Sequence, residues 1–368
     1  MESKKYWVGL NMVLGVGKTL FHRLVRHLGS PEKVFTASRR ELMQVGQIGE
    51  KTAAAILQFD VDKSVKREFA LMEEYGAKLL TLDNPEYPSL LKSIYDPPPV
   101  LCYKGESPAK FVIPLAVVGT RAVSSYGKIA AERLCGSLAS AGICIVSGMA
   151  RGIDTLAHRA ALGAGGSTIA VLGCGLTHVY PPENASLQKK IEANGSVISE
   201  FPMSMKPDRN NFPARNRVIS GLSYGTVVVE AGEKSGALIT AEFALEQGRE
   251  VFAVPGNIYS PKSRGTNHLI KMGAKIVDGP ESIWEELAPS VKALLKKDQS
   301  DSLDCGNLSP LEERLFSFLS AEERHIDELI EISRLSPAEV SATLVQLELK
   351  GFVRQTDGKM FISNSVSN

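Results

Sequence analysis

The sequence has few cysteines and no long apolar segment. Among 368 residues there are five cysteines, and no two of them form a C-x-x-C pair. An odd number of widely spaced thiols indicates neither a zinc site nor a disulfide framework, so we expect no metal and a reducing compartment. The longest uncharged run, residues 160–182, contains five glycines and ends in two prolines, which makes it a poor membrane span. Because no signal peptide is visible either, the sequence predicts a soluble, cytoplasmic protein without a membrane partner.

A large excess of charge of either sign is also absent. The 42 basic and 41 acidic side chains give a net charge of +1, which argues against a uniformly basic nucleic-acid binder. The distribution is uneven, however: residues 1–110 carry +3, residues 111–280 carry +5 and residues 281–368 carry −7. A basic surface is therefore expected in the first 280 residues, and an acidic one after them.

The common nucleotide-binding motifs are missing. Gly17-Lys18-Thr19 resembles the end of a P-loop, but Met12 stands where that motif needs its first glycine. Gly119-Thr120-Arg121 does not match Gly-x-Gly-x-x-Gly. We therefore expect neither ATP hydrolysis nor a bound cofactor.

No ordered nucleophile and base are visible, and we expect no enzymatic activity. Asp154 and His158 lie four residues apart, on one face of a predicted helix. That spacing is compatible with acid–base chemistry. We favour the structural interpretation, in which Asp154 caps the helix and His158 packs against it.

Changes in pattern divide the chain into five segments. They are a helical domain at residues 1–60, a connector at 61–110, an α/β core at 111–287, an acidic linker at 288–307 and a C-terminal domain at 308–368. In the core, short apolar runs alternate with helical stretches, which predicts an α/β fold with a Rossmann-like, doubly wound and mostly parallel sheet. The last segment has the helix and hairpin pattern of a winged helix. A ligand of the core should bind at the carboxyl ends of its strands.

The first segment contains two glycine turns between short helices. They are Leu14-Gly15-Val16-Gly17 and Gly46-Gln47-Ile48-Gly49, and Gln47 replaces the first glycine of the second turn. Both resemble helix-hairpin-helix units of a SAM-like domain, which bind DNA without sequence specificity. The alternative is a helical packing domain that does not touch DNA.

Glycines and basic residues follow the predicted core strands. Such glycines let backbone N–H groups approach a ligand, and arginine suits phosphate. The residues that we assign to DNA binding from this pattern and from the resemblance below are Gly119, Thr120, Arg121, Ser147, Gly148, Arg151, Lys189, Lys206, Arg215, Asn216 and Arg217.

Many ordered blocks resemble the DprA/Smf family of DNA-processing proteins. They include Gly119-Thr120-Arg121, residues 147–154, Tyr180-Pro181, residues 212–219 and residues 254–257. The resemblance implies a non-enzymatic protein of natural transformation. It would bind and protect single-stranded DNA, form a homodimer near residues 263–278 and load RecA recombinase.

The resemblance also assigns roles to residues. Arg121 would be the principal DNA contact, and Ser147 and Gly148 would hold a phosphate through backbone N–H groups. Relatives use a lysine, and often an aromatic, after Tyr-Pro. Here Lys189 would take the role of the lysine, and residues 184–190 contain no aromatic.

Two other functions stay open from the sequence. The core resembles, more distantly, nucleotide-cleaving enzymes of the lysine-decarboxylase-like class. Residues 230–237 lack the proline and double glycine of their Pro-Gly-Gly-x-Gly-Thr loop. The other is a protein adaptor, because residues 308–363 carry six basic and ten acidic side chains, a net −4 that repels a phosphate backbone.

Overall fold

A computed structural model describes residues 2–287, 309–319, 324–349, 352–356 and 358–363. The chain forms two compact units, Met1–Lys292 and Ala293–Asn368. The predicted acidic linker at residues 288–307 lies outside the described residues. The predicted helical domain, connector and core all fall within the first unit.

Six helices precede the first strand in the described part of the chain. They are α1 (Glu2–Met12), α2 (Lys18–Leu28), α3 (Pro31–Thr36), α4 (Arg39–Met43), α5 (Glu50–Leu57) and α6 (Val61–Glu74). Side chains cap several of them: Ser38 and Glu41, for example, form a reciprocal capping box at the start of α4. The side chains buried between these helices include Leu10, Phe21 and Leu24. A hydrophobic cluster joins them to residues of the sheet, such as Ala170 and Val197.

The two glycine turns have matching backbone conformations. Gly15 adopts φ +86° and Gln47, at the corresponding place, adopts φ +73°. This left-handed conformation normally favours glycine. Gly17 and Gly49 then precede α2 and α5, and neither helix start has a side-chain cap. The turn geometry therefore repeats despite the substitution at Gln47.

Nine strands form one sheet in the described part of the first unit. They are β1 (Lys78–Thr81), β2 (Val100–Gly105), β3 (Pro114–Val118), β4 (Cys144–Ser147), β5 (Thr168–Val171), β6 (Ser196–Ser199), β7 (Gly225–Val228), β8 (Glu250–Ala253) and β9 (Lys275–Ile276). Their spatial order is β1-β2-β6-β5-β4-β3-β7-β8-β9. The pairs from β6 to β9 are parallel, as predicted.

The connector differs from its prediction. Its two strands belong to the sheet: β1 pairs antiparallel with β2, and β2 pairs antiparallel with β6. Residues 78–105 therefore contribute two strands to the sheet, whereas α6 packs with the N-terminal helices.

The connections between strands contain helices on both faces of the sheet. The helices are α7 (Ser89–Lys92), α8 (Ser125–Ser140), α9 (Ile153–Gly163), α10 (Ala185–Asn194), α11 (Asn211–Gly221), α12 (Gly236–Glu246), α13 (Arg264–Lys271) and α14 (Pro280–Glu286), with 3-10 turns at Pro108–Lys110 and Pro182–Asn184. The five strands from β3 to β7 are buried at every residue, whereas the edge strand β9 is exposed. Because helices cover the sheet, strands such as β3 and β7 read as continuous apolar runs in the sequence.

The second unit is a winged helix. It comprises α15 (Pro310–Phe316), β10 (Arg324–His325), α16 (Ile326–Ser333), α17 (Pro337–Leu349), β11 (Val353–Thr356) and β12 (Met360–Ser363). Its strands are ordered β10-β12-β11, and Leu315, Leu329, Leu344 and Phe361 pack in its core. The predicted helices and hairpin are confirmed, and β10 adds a third strand to the hairpin.

Candidate functional site

A cleft of about 830 Å³ opens at the carboxyl ends of β3, β4 and β7. β3 and β7 are neighbours in the sheet, but the chain continues from them toward opposite edges. Such a switch point leaves a crevice between the two diverging connections, where ligands of doubly wound folds bind. The cleft therefore lies where the sequence predicts a ligand.

The turn after β3 is held tightly in place. Thr120 N donates to Glu230 O at 2.7 Å, and Ile153 N donates to Thr120 O at 3.2 Å. A Cβ at Gly119 would lie 2.5 Å from the Ile153 side chain, so this close approach requires glycine. Arg121 follows this fixed turn, is exposed and lines the cleft.

Glu230, at the end of β7, supports the opposite wall. Its Oε2 accepts from Ser124 N at 2.9 Å, and its Oε1 accepts from Ser124 Oγ at 2.5 Å. Ser124 caps α8 in turn, so the carboxylate joins the β7 end to the start of that helix. Glu230 is buried, and both of its carboxylate oxygens accept hydrogen bonds from Ser124.

Arg215 forms part of the floor of the cleft. It is buried, and its Nη1 donates to Gly148 O at 2.6 Å and also to Val171 O. Burial lowers the pKa of Arg215 to about 10, with Asp154 opposing and Arg121 adding to the shift. The guanidinium stays charged at neutral pH and contributes positive potential from below.

At the end of β4, Gly148 differs from its predicted role of holding a phosphate. The Gly148 N–H donates to Asp154 Oδ2 at 3.2 Å, as does Ala150 N at 3.3 Å. The Ser147 hydroxyl donates to Val117 O at 2.6 Å inside the sheet. The Gly148 N–H is therefore already bonded within the protein, and the Gly148 carbonyl supports Arg215. A phosphate contact by the Ser147 backbone stays a prediction.

Asp154 and His158 have structural contacts that differ from the predicted ones. Asp154 does not cap α9, whose N-cap residue is Gly152; its carboxylate accepts hydrogen bonds from the loop before the helix, and burial raises the pKa of that carboxyl. His158 does not pack on Asp154 through a hydrogen bond: its Nδ1 lies 2.7 Å from Thr168 Oγ1. The two side chains thus have separate partners.

Exposed cations line the rim. Arg121, Arg209 and Lys234 all border the cleft, as do Gly236 at the start of α12 and Asn216. Asn216 Nδ2 donates to Gly236 O at 3.3 Å, which holds α11 and α12 together at this point. A helix start adds partial positive charge to these side chains. Lys234 was not identified from the sequence, although it lies two residues after Gly232 in the loop that follows β7.

Two aromatic rings also border the cleft. Tyr180 and Phe212 stack with their ring centroids 5.3 Å apart and their planes at 29°. The Arg121 Cζ lies 5.6 Å from the centroid of Phe212. Both aromatics stand in sequence blocks already singled out, but their contact joins residues 32 positions apart and could not be seen in one sequence.

Four other predicted residues lie outside the residues that line the cleft. Lys189 and Lys206 are exposed. Arg151 is exposed and pairs with Glu183 through two nitrogens. Arg217 is a correction: it is buried, pairs with Glu200 and donates to Asp96 O at 2.8 Å, so its guanidinium is not accessible to DNA.

The described thiols are buried. Burial raises the pKa of Cys135 and Cys144 to about 12 and that of Cys174 to about 11, and it also raises that of Cys102. Across the described ranges we find no group of three His, Cys, Asp or Glu side chains placed to hold a metal. Within the same residues, no helix has the length and apolar character needed to span a membrane.

Family models match most of the chain. The model for "DNA recombination-mediator protein A" matches residues 78–288, and that for the "DprA winged helix domain" matches residues 304–359. The first match includes β1 and β2, in agreement with their place in the sheet.

Named relatives are similar over much of their length. Protein Smf of Synechocystis sp. is 34% identical over 98% of both chains, and Protein Smf of Escherichia coli is 41% identical over 80% of both. DNA processing protein DprA of Bacillus subtilis is 42% identical over 65% of this chain and 82% of its own.

Two solved structures are similar as well. DNA processing protein A of Streptococcus pneumoniae has a TM-score of 0.70 at 36% identity, over 77% of this chain and 98% of its own. The protein from Helicobacter pylori, whose structure describes a single-stranded DNA binding mode, has a TM-score of 0.52 at 30% identity, over 60% of this chain and 97% of its own.

Proposed function

The chain belongs to the DprA/Smf family of DNA recombination-mediator proteins, and from that premise we propose that it binds single-stranded DNA in the cleft at the switch point of its sheet. The observation that carries this proposal is the rim of exposed cations, Arg121, Arg209 and Lys234, around the start of α12 and above the buried charge of Arg215. The single-stranded DNA binding described for the Helicobacter pylori relative supports it.

The chemistry of the cleft suits a phosphate backbone. Single-stranded DNA presents one negative charge per nucleotide, and cations that neutralise these charges release counterions. Arg121 is the principal candidate because it is exposed and follows a turn that hydrogen bonds fix. We propose that the cleft holds the strand without cleaving it.

The test of the site is the Arg121→Ala variant in an anisotropy titration with a fluorescent oligothymidine. Loss of one charge-assisted contact should weaken binding about 10- to 100-fold. The plot of log K against log salt should become shallower by about 0.7. The matched control is Lys66→Ala, an exposed cation on α6 that does not line the cleft. Unchanged affinity of the Arg121 variant would show that the site is wrongly placed.

We further propose that the protein forms a homodimer through the β9 edge of the sheet. β9 is an edge strand, Ile276 on it is 52% exposed and Met272 before it is 73% exposed. Ile258 and Tyr259 are exposed too. An apolar group beside an open strand edge favours pairing with a second copy.

Light scattering with size-exclusion chromatography tests this surface. Met272→Glu should shift the mass toward the monomer. Leu14→Glu, at an exposed apolar residue in the first glycine turn, should leave the mass unchanged. A dimer that persists in the Met272 variant would place the interface elsewhere.

Following the family, we propose that the DNA-bound protein acts in the cytoplasm during natural transformation and loads RecA recombinase. The assay is RecA-dependent ATP hydrolysis on DNA coated with a single-strand binding protein. The protein should shorten the lag, and Arg121→Ala should not. The absence of free base after incubation with nucleoside monophosphates would support a non-enzymatic role.

A further inference from the structure

We propose that Tyr180 and Phe212 form a seat for one nucleobase of the bound strand, beside the phosphate contact at Arg121. This inference rests on the proposed binding of single-stranded DNA. It adds a subsite that recognises the planar face of a base, whereas the cations of the rim recognise phosphate.

Phe212 contacts both other groups of the seat. The two rings stack at 5.3 Å, and the guanidinium of Arg121 lies over the Phe212 ring. All three border the same cleft. Tyr180 is the more exposed ring, with 36% of its surface accessible, and therefore offers the aromatic surface on which a base can stack.

Phe212 is held in place by the sheet. Its ring edge packs against Gly173, where an added Cβ would lie only 2.7 Å from Phe212 Cδ1. The ring also belongs to α11, and Arg215 of that helix is fixed by carbonyl oxygens of two strands. A fixed ring loses little conformational freedom when a ligand stacks next to it.

The loop that carries Tyr180 is anchored as well. Asn184 N donates to Pro181 O at 3.0 Å, and the buried Asn184 side chain donates to Met149 O at 3.0 Å and to Thr155 Oγ1 at 2.8 Å. The platform is thus built before any ligand arrives.

Stacking on such a platform tolerates every base, because each has a π face. Stacking requires a base in the ligand, whereas phosphate binding requires only the backbone. A strand without bases keeps its phosphates but has nothing to stack. Removing the ring of Tyr180 should therefore weaken binding only of a strand that carries bases.

The experiment compares oligothymidine with an abasic oligonucleotide of the same length and label, by anisotropy on the full chain. Tyr180→Leu should weaken oligothymidine binding about tenfold and leave abasic binding unchanged. Tyr180→Phe, which keeps the ring, should restore oligothymidine binding. Tyr95→Leu, at a tyrosine 88% exposed and outside the cleft, serves as the matched control.

The outcomes separate this inference from the proposed function. Arg121→Ala should weaken binding of both ligands. An equal loss for both ligands in Tyr180→Leu, or no loss for oligothymidine, would overturn the base seat while leaving DNA binding intact. If the wild-type chain binds neither ligand, the proposed function fails and the base seat fails with it.

Discussion

At the scale of single residues, His158 is a buried base whose protonation is suppressed by its surroundings. The Thr168 hydroxyl donates to Ile145 O at 2.5 Å, so it accepts from His158 Nδ1 and fixes the proton on that nitrogen. Nε2 is buried and has no hydrogen-bond partner among the described residues. A proton added there would remain unpaired, and burial lowers the pKa of His158 to about 3.

The consequence is a loss of stability in acid. Below the usual histidine pKa of 6.5, the unfolded chain binds a proton that the folded chain does not. The free energy of unfolding should therefore fall as pH drops from about 6.5 toward 3, by up to about 1.4 kcal/mol per pH unit. His158→Asn should remove this part of the slope, as measured by urea unfolding between pH 7.5 and 4.5.

Tryptophan fluorescence is the appropriate signal for that measurement. Trp7 and Trp284 are the two tryptophans of the chain, and both belong to the first unit. Burial raises the pKa of Glu68 and of Asp154, which changes the slope in the opposite direction. The difference in the free energy of unfolding between the wild type and the His158→Asn variant isolates the contribution of His158. If that free energy changed with pH equally in both proteins, His158 would not be the source of the acid destabilisation.

At the scale of elements, a cluster of charged side chains links the N-terminal helices to α11, the helix that carries Arg215. Lys18, the first residue of α2, pairs with Glu200 at 2.6 Å, and Glu200 also pairs with Arg217 of α11. His22 of α2 contacts Pro97 O at 2.8 Å. Lys18, which follows the first glycine turn, is thus paired within the protein.

Removing different members of this cluster should have unequal effects. Glu200→Gln leaves two cations without their shared carboxylate and should lower the free energy of unfolding by about 3 kcal/mol. Lys18→Met leaves the Glu200–Arg217 pair intact and should cost about 1 kcal/mol. Urea unfolding followed by tryptophan fluorescence measures both. Arg39→Ala, in an exposed pair with Glu50, is the control and should change little. Equal losses in the first two variants would argue against a shared carboxylate.

The strands and helices of the core were predictable because their signals are local. Apolar runs of strand length between helical stretches identified β3 to β9. What the sequence could not show is which distant segments meet. The antiparallel addition of β1 and β2 depends on pairing with β6, and the burial of Arg215 and Arg217 depends on carbonyl and carboxylate partners far along the chain. An arginine that supports the site and one that binds a ligand look alike in one sequence.

At the scale of the whole molecule, the two compact units carry net charges of opposite sign. Residues 293–368 carry 8 basic and 13 acidic side chains, a net −5, whereas the whole chain carries +1. The first unit therefore carries +6. DNA should be attracted to the first unit and repelled by the second.

A chain that ends at Lys292 tests this separation. It should bind oligothymidine at least as tightly as the full chain, because the removed residues have the charge sign of DNA. Anisotropy at low and moderate salt measures the affinity, and circular dichroism checks that the fragment is folded. A tenfold loss of affinity would show that the winged helix contributes a DNA contact.

The two edges of the nine-stranded sheet are unequal. At the β1 edge, Lys4 of α1 donates to Leu79 O at 3.1 Å and thereby occupies a backbone acceptor. The β9 edge carries exposed residues. An interface with one available edge per molecule closes on itself after two copies, whereas two available edges would allow growth into filaments. In the proposed dimer, the Lys4 bond would therefore make the β1 edge the less available of the two edges, which favours a closed pair over a filament.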